Sequence, residues 1–237
     1  MKAAQRDKAL ELRIEKQLGY RTIAKQLSVS KSTLSRWLKD VPLSEKRILQ
    51  LRREGWSRGE ASRERFRNTM RAKRQKREQE IYNEQLKKFK IITQQSVFVA
   101  GLMLYLAEGD KKDPYHIGLA NTDPEVIEFF LWWLYKFSNV NKEDVKLQLH
   151  LYSSMNIERE QKFWMGVTNL SHKHFYKHQI RPLRPSSFSY RESFRHGTCK
   201  IYVYGFKKTA ELMLSIKAFL ATYDRRFKSE KRKIVRA

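Results

Sequence analysis

Apolar residues recur at helical spacing from the start of the chain: Leu10, Ile14 and Leu18 share one face, and Gly19 ends that helix. The pattern predicts a second short helix over residues 22–27 with Ile23, Ala24 and Leu27 inward. A tight turn, Ser28-Val29-Ser30, follows, with Val29 plugging the core. Ser30 is placed to cap a third helix that runs to about Lys39 with Leu34, Trp37 and Leu38 as its apolar stripe. Val41-Pro42 stops it, because proline disfavours a helical residue before it.

Residues 44–90 carry dense charge. The stretch "RERFRNTMRAKRQKREQEIYNEQLKKFK" holds neither proline nor glycine and predicts a long, mostly solvent-facing helix. Its apolar points, among them Ile48, Leu51, Phe66, Met70, Ile81 and Leu86, form only a narrow stripe.

From about residue 95 the pattern changes to that of a packed domain. A helix is predicted over residues 96–108 and a strand over 115–121. "TDPEVIEFFLWWLYKF" starts a helix capped by Thr122 or Asp123, with Pro124 in the first turn. In "VKLQLHLYS" Leu147, Leu149 and Leu151 alternate with Gln148, His150 and Tyr152, which predicts a half-buried strand with one open polar face. A further helix follows over residues 156–167, then strands over 173–182 and 199–206, a helix over 207–223 and a frayed basic tail from Asp224. Helices and strands are mixed, so the predicted class is α+β, with a small, mostly antiparallel sheet covered by helices. The expected organisation is a three-helix unit over residues 1–43, a basic helical linker over 44–95, a globular domain over 96–223 and a tail over 224–237.

Charge narrows the function. The 237 residues carry 50 Lys and Arg against 25 Asp and Glu, a formal charge of +25. That excess predicts a polyanionic partner: nucleic acid first, an anionic membrane surface second. One cysteine, Cys199, excludes an intrachain disulfide framework and a multi-cysteine zinc module. No secretory signal opens the chain, and no apolar run reaches the roughly 20 residues a bilayer needs. The expected setting is cytoplasmic and nucleoid-associated.

Two constellations carry candidate chemistry. Outside the apolar stripe of the third helix lie Lys31, Ser32, Thr33, Ser35, Arg36 and Lys39, with Ser30 at its cap. Hydroxyls and cations of this kind reach both phosphates and base edges. The stretch resembles the helix-turn-helix of resolvases, invertases and transposases, where patterns like "IAKQLSVSKSTLSRWL" recur. The resemblance implies a third helix lying in the major groove of DNA. A bundle used only as a protein contact is the competing reading. In the linker, "RAKRQKR" places Arg71, Lys73, Arg74, Lys76 and Arg77 either along DNA phosphates or on a solvated spacer.

The second constellation is "GLMLYLAEGDKK", an apolar helix ending in acids and amines. Its first nine residues align without gaps to the signature of LAGLIDADG homing endonucleases, and "ANTDPEVIEFFLWWL" and "HGTCKIYVYGF" look like that family's helix and sheet segments. The resemblance covers roughly residues 96–220. It implies signature helices packed side by side in a homodimer through residues 101–108. It also implies a sheet saddle on DNA, Glu108 as the catalytic, metal-binding carboxylate, and Mg²⁺ as cofactor. Gly109 would then let backbone approach metal or phosphate, and Lys111 and Lys112 would neutralise phosphate. The chain departs from the family at Met103, where a small residue is usual, and leaves room for one strand between Gly109 and Asp123 where the family has a hairpin. Glu108 paired with Lys111 or Lys112 at an exposed helix end is the plain structural reading. His172, His174 and His178 would share one face if their segment is a strand, as an ordinary polar face or as phosphate contacts. Arg181 to Arg191 reads as a flexible basic loop near DNA.

The function expected is sequence-specific binding of double-stranded DNA. The alternative is a Mg²⁺-dependent, site-specific endonuclease of the homing type acting as a homodimer; a recombinase accessory or RNA-binding factor is a remoter reading.

Overall fold

A computed structural model describes residues 2–182 and 196–234. The class is α+β, and the chain divides into two compact units, residues 1–91 and residues 92 onward.

The first unit is helical: α1 (Lys2–Ile14), α2 (Tyr20–Leu27), α3 (Lys31–Trp37), α4 (Glu45–Arg53) and α5 (Arg58–Lys88). Ser30 caps α3 as expected, its side chain accepting from the Thr33 N–H at 3.1 Å. Ala9, Leu12, Tyr20, Ile23, Leu34 and Leu38 form one small core, with Val29 packed against it. A second contains Leu43, Ile48, Leu51 and Ala61. Two expectations change. Ile14 is exposed, and the buried face of α1 carries Ala9, Leu12 and Arg13 instead. The segment expected as a solvent-facing linker is folded in at its start: α4 and the first turns of α5 pack together, and from Ala72 to Lys90 every residue is exposed.

The joint is polar. The Arg13 guanidinium pairs with Glu64 of α5 and donates to the Val41 and Leu18 carbonyls, each at 2.9 Å. Glu64 also accepts from Arg67 at 2.9 Å, and Arg13 and Arg67 both lie over the Tyr20 ring. The Tyr20 hydroxyl donates to the Leu38 carbonyl at 3.1 Å. Gly19 matters for space: a Cβ there would stand 2.2 Å from the Trp56 ring.

The second unit runs α6 (Gln94–Glu108), β1 (Gly109–Asp110), β2 (His116–Asn121), α7 (Pro124–Phe137), β3 (Val145–Tyr152), α8 (Ile157–Thr168), β4 (Gln179–Arg181), β5 (Thr198–Tyr204) and α9 (Phe206–Ile234). The strands order as β1-β2-β5-β3-β4, antiparallel except for the β3–β4 pair. Register stacks Ile117 on Val203 and Leu119 on Ile201, with Leu147 and Leu149 beyond. That apolar face and residues of α6, α7, α8 and α9 form one continuous core. The Trp164 indole of α8 donates to the His196 carbonyl at 2.7 Å, and the His196 ring meets Glu160 at 2.6 Å, which ties α8 to the start of β5.

Three expectations are corrected here. Gly109 and Asp110 pair with Leu119 and Gly118, so a short hairpin stands where one strand was expected. Residues 173–182 are not one strand: a 3-10 turn over His172–His174 leads to a three-residue β4. His174 points inward, its Nδ1 3.0 Å from the Val145 carbonyl, so the three histidines share no face. The tail expected to fray at Asp224 continues α9 to Ile234, since "DRRFKSEKRKI" holds no helix breaker. The basic loop expected from Arg181 to Arg191 lies outside the described residues beyond Pro182. Among the described residues, no helix is long and apolar enough to cross a membrane.

Candidate nucleic-acid interface

In the first unit, α3 turns Leu34 and Leu38 fully inward. Its opposite face exposes Lys31, Ser32, Ser35 and Arg36, and Lys39 is exposed just beyond; Thr33 is half-buried. The Ser30 hydroxyl bonds those of Ser32 and Thr33, each at 2.9 Å, so the cap and the first turn share one hydroxyl cluster. The turn into α3 is tight because Ser28 takes a left-handed conformation, φ 51°.

The basic stretch of α5 divides by role. Arg71 donates to the Lys39 carbonyl at 2.6 Å and Arg74 pairs with Asp40 at 2.7 Å, so both fasten α5 to the end of α3. Lys73, Lys76 and Arg77 stay exposed. Sequence reading treats the five cations alike; it misses that two of them serve as struts to the turn after α3, while the other three stay free on the surface of α5. It also misses a notch of about 30 Å³ bordered by Arg21, Lys31, Arg63 and Arg67 together with Glu60 and Glu64.

In the second unit, Glu108 occupies the exposed final turn of α6 and makes no ion pair among the described residues. Lys111 turns back instead: its ammonium donates to the Leu106 and Gly109 carbonyls at 2.9 and 2.8 Å and closes the helix. Lys112 is exposed, and its backbone N–H donates to Asp110. Gly109 is required by packing, for the Tyr105 ring and carbonyl fill the space where a Cβ would project. Gly101 likewise admits the Trp133 indole, whose Nε1 would lie 2.2 Å from a Cβ there. Ala100 and Ala107 remain exposed on α6, with Met103 and Leu104 half-buried between them.

Beside the helix tip stands a group not identified from sequence. Asp110 lies 3.4 Å from Lys200 of β5 and 3.7 Å from His116 of β2; His116 meets Asp113 at 3.0 Å through its other nitrogen. The Lys112 N–H, then Lys200 and His116, hold the Asp110 carboxyl below its ordinary range. Asp110 is therefore balanced locally, whereas Glu108 is not. The alternation was the available signal: Lys200, Tyr202 and Tyr204 alternate with Cys199, Ile201 and Val203, and the odd-numbered positions are buried.

These residues continue into the polar face of the sheet. Register places Ala120, Lys200 and Gln148 in one row, and Gly118, Tyr202 and Lys146 in the next. The face is half-exposed and holds Gln148, His150 and Tyr152, as the alternation of β3 predicts. Lys200 stands 4.6 Å from the centre of the Tyr202 ring, and the Tyr202 hydroxyl donates to Gln148 at 3.1 Å. Burial, with Arg181 and Lys200 nearby, lowers His150 below the ordinary imidazole value.

Among the described residues no group of three or more His, Cys, Asp or Glu stands close enough to hold a metal ion. One exposed carboxylate suits Mg²⁺ only as a partial ligand, since that ion takes one or two carboxylates and completes its shell with water and phosphate. Compared with models of protein families, with curated proteins and with solved structures, the chain matches none.

Proposed function

We propose that the protein binds double-stranded DNA sequence-specifically, with α3 reading bases and the second unit gripping a further stretch through its open sheet face. The observation that carries this reading is α3. Its fully buried residues, Leu34 and Leu38, are apolar, its exposed side is hydroxyl and cation, and Arg71 and Arg74 fasten the basic helix α5 to the turn that follows it. Such a face suits both phosphate contact and base readout. The +25 charge of the chain supplies the attraction.

The test is duplex binding across a salt series. With about six phosphate contacts at roughly −0.9 each, log affinity against log salt should fall with a slope near −5. Arg36→Ala and Ser32→Ala together should erode discrimination between sites more than affinity for random duplex. A slope near zero, or full discrimination in the double variant, removes the reading.

A second reading rests on Glu108, an exposed carboxylate without an ion pair among the described residues at the tip of an apolar helix, followed by a hairpin. These features support the resemblance to LAGLIDADG endonucleases and a Mg²⁺-dependent homodimer joined along Ala100, Met103 and Ala107. Each protomer would supply one Glu108, and the bound ion would supply Lewis acidity at the scissile phosphate. Incubating wild type and Glu108→Gln with target DNA and Mg²⁺ decides it: cutting should occur only with the wild type, with binding kept in both.

A further inference from the structure

A cleft of about 350 Å³ opens in the second unit between α8, the 3-10 turn over His172–His174 and β4. Gln161, Phe175, Tyr176, His178 and Ile180 border it. Small-molecule sites span roughly 300–1,000 Å³, so this one admits one or two rings rather than an extended cofactor.

Its polar groups lack partners. Gln161 is nine-tenths buried, yet among the described residues its amide makes no hydrogen bond. The Nδ1 of His178 is buried and likewise without a partner. A buried imidazole nitrogen left unpaired is costly, and the Gln161 amide offers a donor and an acceptor beside it; together they point to an occupant that supplies the missing bonds. Ile157, Phe175, Tyr176 and Ile180 make the apolar and aromatic part of the wall, and His172 and the cation Lys177 complete it. Burial and the neighbouring His172 lower His178 below the ordinary imidazole value, so its ring offers hydrogen bonds while Lys177 supplies the one cation among these lining residues. Tyr176 also stands 6.1 Å from Tyr202, ring to ring, and so joins the cleft to the open sheet face.

We propose that this cleft is a nucleobase site, with Gln161 pairing two edge atoms of an adenine-type base and Phe175 and Tyr176 flanking its ring. An amide side chain matches adjacent donor and acceptor atoms on adenine. Aromatic side chains take any unstacked base by its face. The base comes either from a free nucleoside or from a nucleotide unstacked from a strand. The inference stands apart from duplex recognition by α3 and survives the failure of that reading.

The probe is adenine, which keeps the 6-amino group the contact needs, used first as the free riboside and then as the one adenine of a pyrimidine oligonucleotide, single-stranded and duplex. Titration calorimetry should show saturable heat on adding protein, and 2-aminopurine riboside, which lacks the 6-amino group, should compete weakly. Gln161→Leu should weaken binding about tenfold or more, the loss expected for a bidentate base contact, and Ile180→Trp should weaken it by filling the space the base would occupy. Binding of the riboside alone assigns a small-molecule ligand; binding only within an oligonucleotide assigns an unstacked base. If Gln161→Leu does not fold, Ile180→Trp decides, because Ile180 is 49% exposed and tolerates a larger ring. No saturable signal with either form of the probe, or binding unchanged in the folded variants, overturns the proposal.

Discussion

The largest fully buried side chains differ between the two units: Arg13 belongs to the first, Trp133 and Trp164 to the second. The second unit has one continuous apolar core, to which sheet and helices both contribute. The first has two small clusters, and between them runs the Arg13–Glu64 pair. Short helices rich in charge cannot bury enough apolar area to hold α1, α2 and α3 against α4 and α5. The polar joint does so instead. Burial lowers Arg13 from its ordinary value and Glu64 opposes that shift, and each guanidinium nitrogen finds an acceptor. Such a pair adds little net energy compared with well-packed hydrophobic residues, but removing one partner leaves a buried charge alone.

The contrast breaks most sharply at that joint. Glu64→Ala should destabilise the first unit by about 3–5 kcal/mol. Hydrogen exchange resolved along the chain should show α1 to α5 opening while the second unit keeps its protection. The double variant Arg13→Met, Glu64→Leu should restore most of the loss, because apolar groups can replace a buried pair. If Glu64→Ala leaves exchange in α1 unchanged, the joint contributes nothing and the two clusters suffice.

The counterpart in the second unit is steric. Gly101→Ala places a methyl against a buried indole that is also held by its bond to the Phe98 carbonyl at 3.1 Å. Overpacking of this kind costs about 1–3 kcal/mol. The loss should appear as faster exchange in α6 and α7, with the first unit unaffected. An unchanged melting temperature would mean that α6 shifts freely, against the packing described.

The same contrast explains what could be read from sequence. Periodicity reports apolar burial, so the core of the second unit was legible: the alternation of β3, the cap at Asp123, the apolar run of α6. It is blind to buried charge. Arg13 and Glu64 are 51 residues apart and both look like surface residues. Ile14, with the better hydropathy, took the place that Arg13 occupies. Within the candidate interface, the residues of α3 were legible because the apolar stripe fixes the opposite face. Arg71 and Arg74 were legible as cations but not as struts, since their partners lie in the turn after α3. The Asp110, His116 and Lys200 group was missed because only the strand of Lys200 alternates clearly, and the two-residue β1 that carries Asp110 leaves no periodic trace.

Acid should separate the units again, by a smaller effect. All six histidines fall after residue 91. In the fold, His150 lies below the ordinary imidazole value through burial, then Arg181 and Lys200. His178 lies below it through burial, then His172. The folded state thus favours the neutral forms. Their contribution is present above the unfolded value of about 6.5 and is lost as pH falls through the lowered folded values. Between pH 7.5 and pH 5.5 the second unit should lose protection and the first should not. Equal loss in both units would assign acid sensitivity to groups other than these histidines.

The smallest effect concerns neighbours with the same charge. Lys111 closes the end of α6 through two carbonyls, whereas Lys112 projects from the surface. A cation at a helix C-terminus is worth roughly 0.3–1 kcal/mol. Lys111→Met keeps the stem and removes the donors, so it should lower stability by less than about 1 kcal/mol. Lys112→Met should leave stability alone. If the second unit contacts DNA at the helix tip, the order reverses in a binding assay: Lys112→Met weakens affinity and flattens the salt slope, while Lys111→Met changes either little, because its ammonium is already committed to backbone. Melting and binding curves on the two variants therefore form a crossed comparison. If Lys111→Met weakens binding and leaves the melt untouched, Lys111 belongs to the phosphate contacts and its bonds to the helix end are incidental.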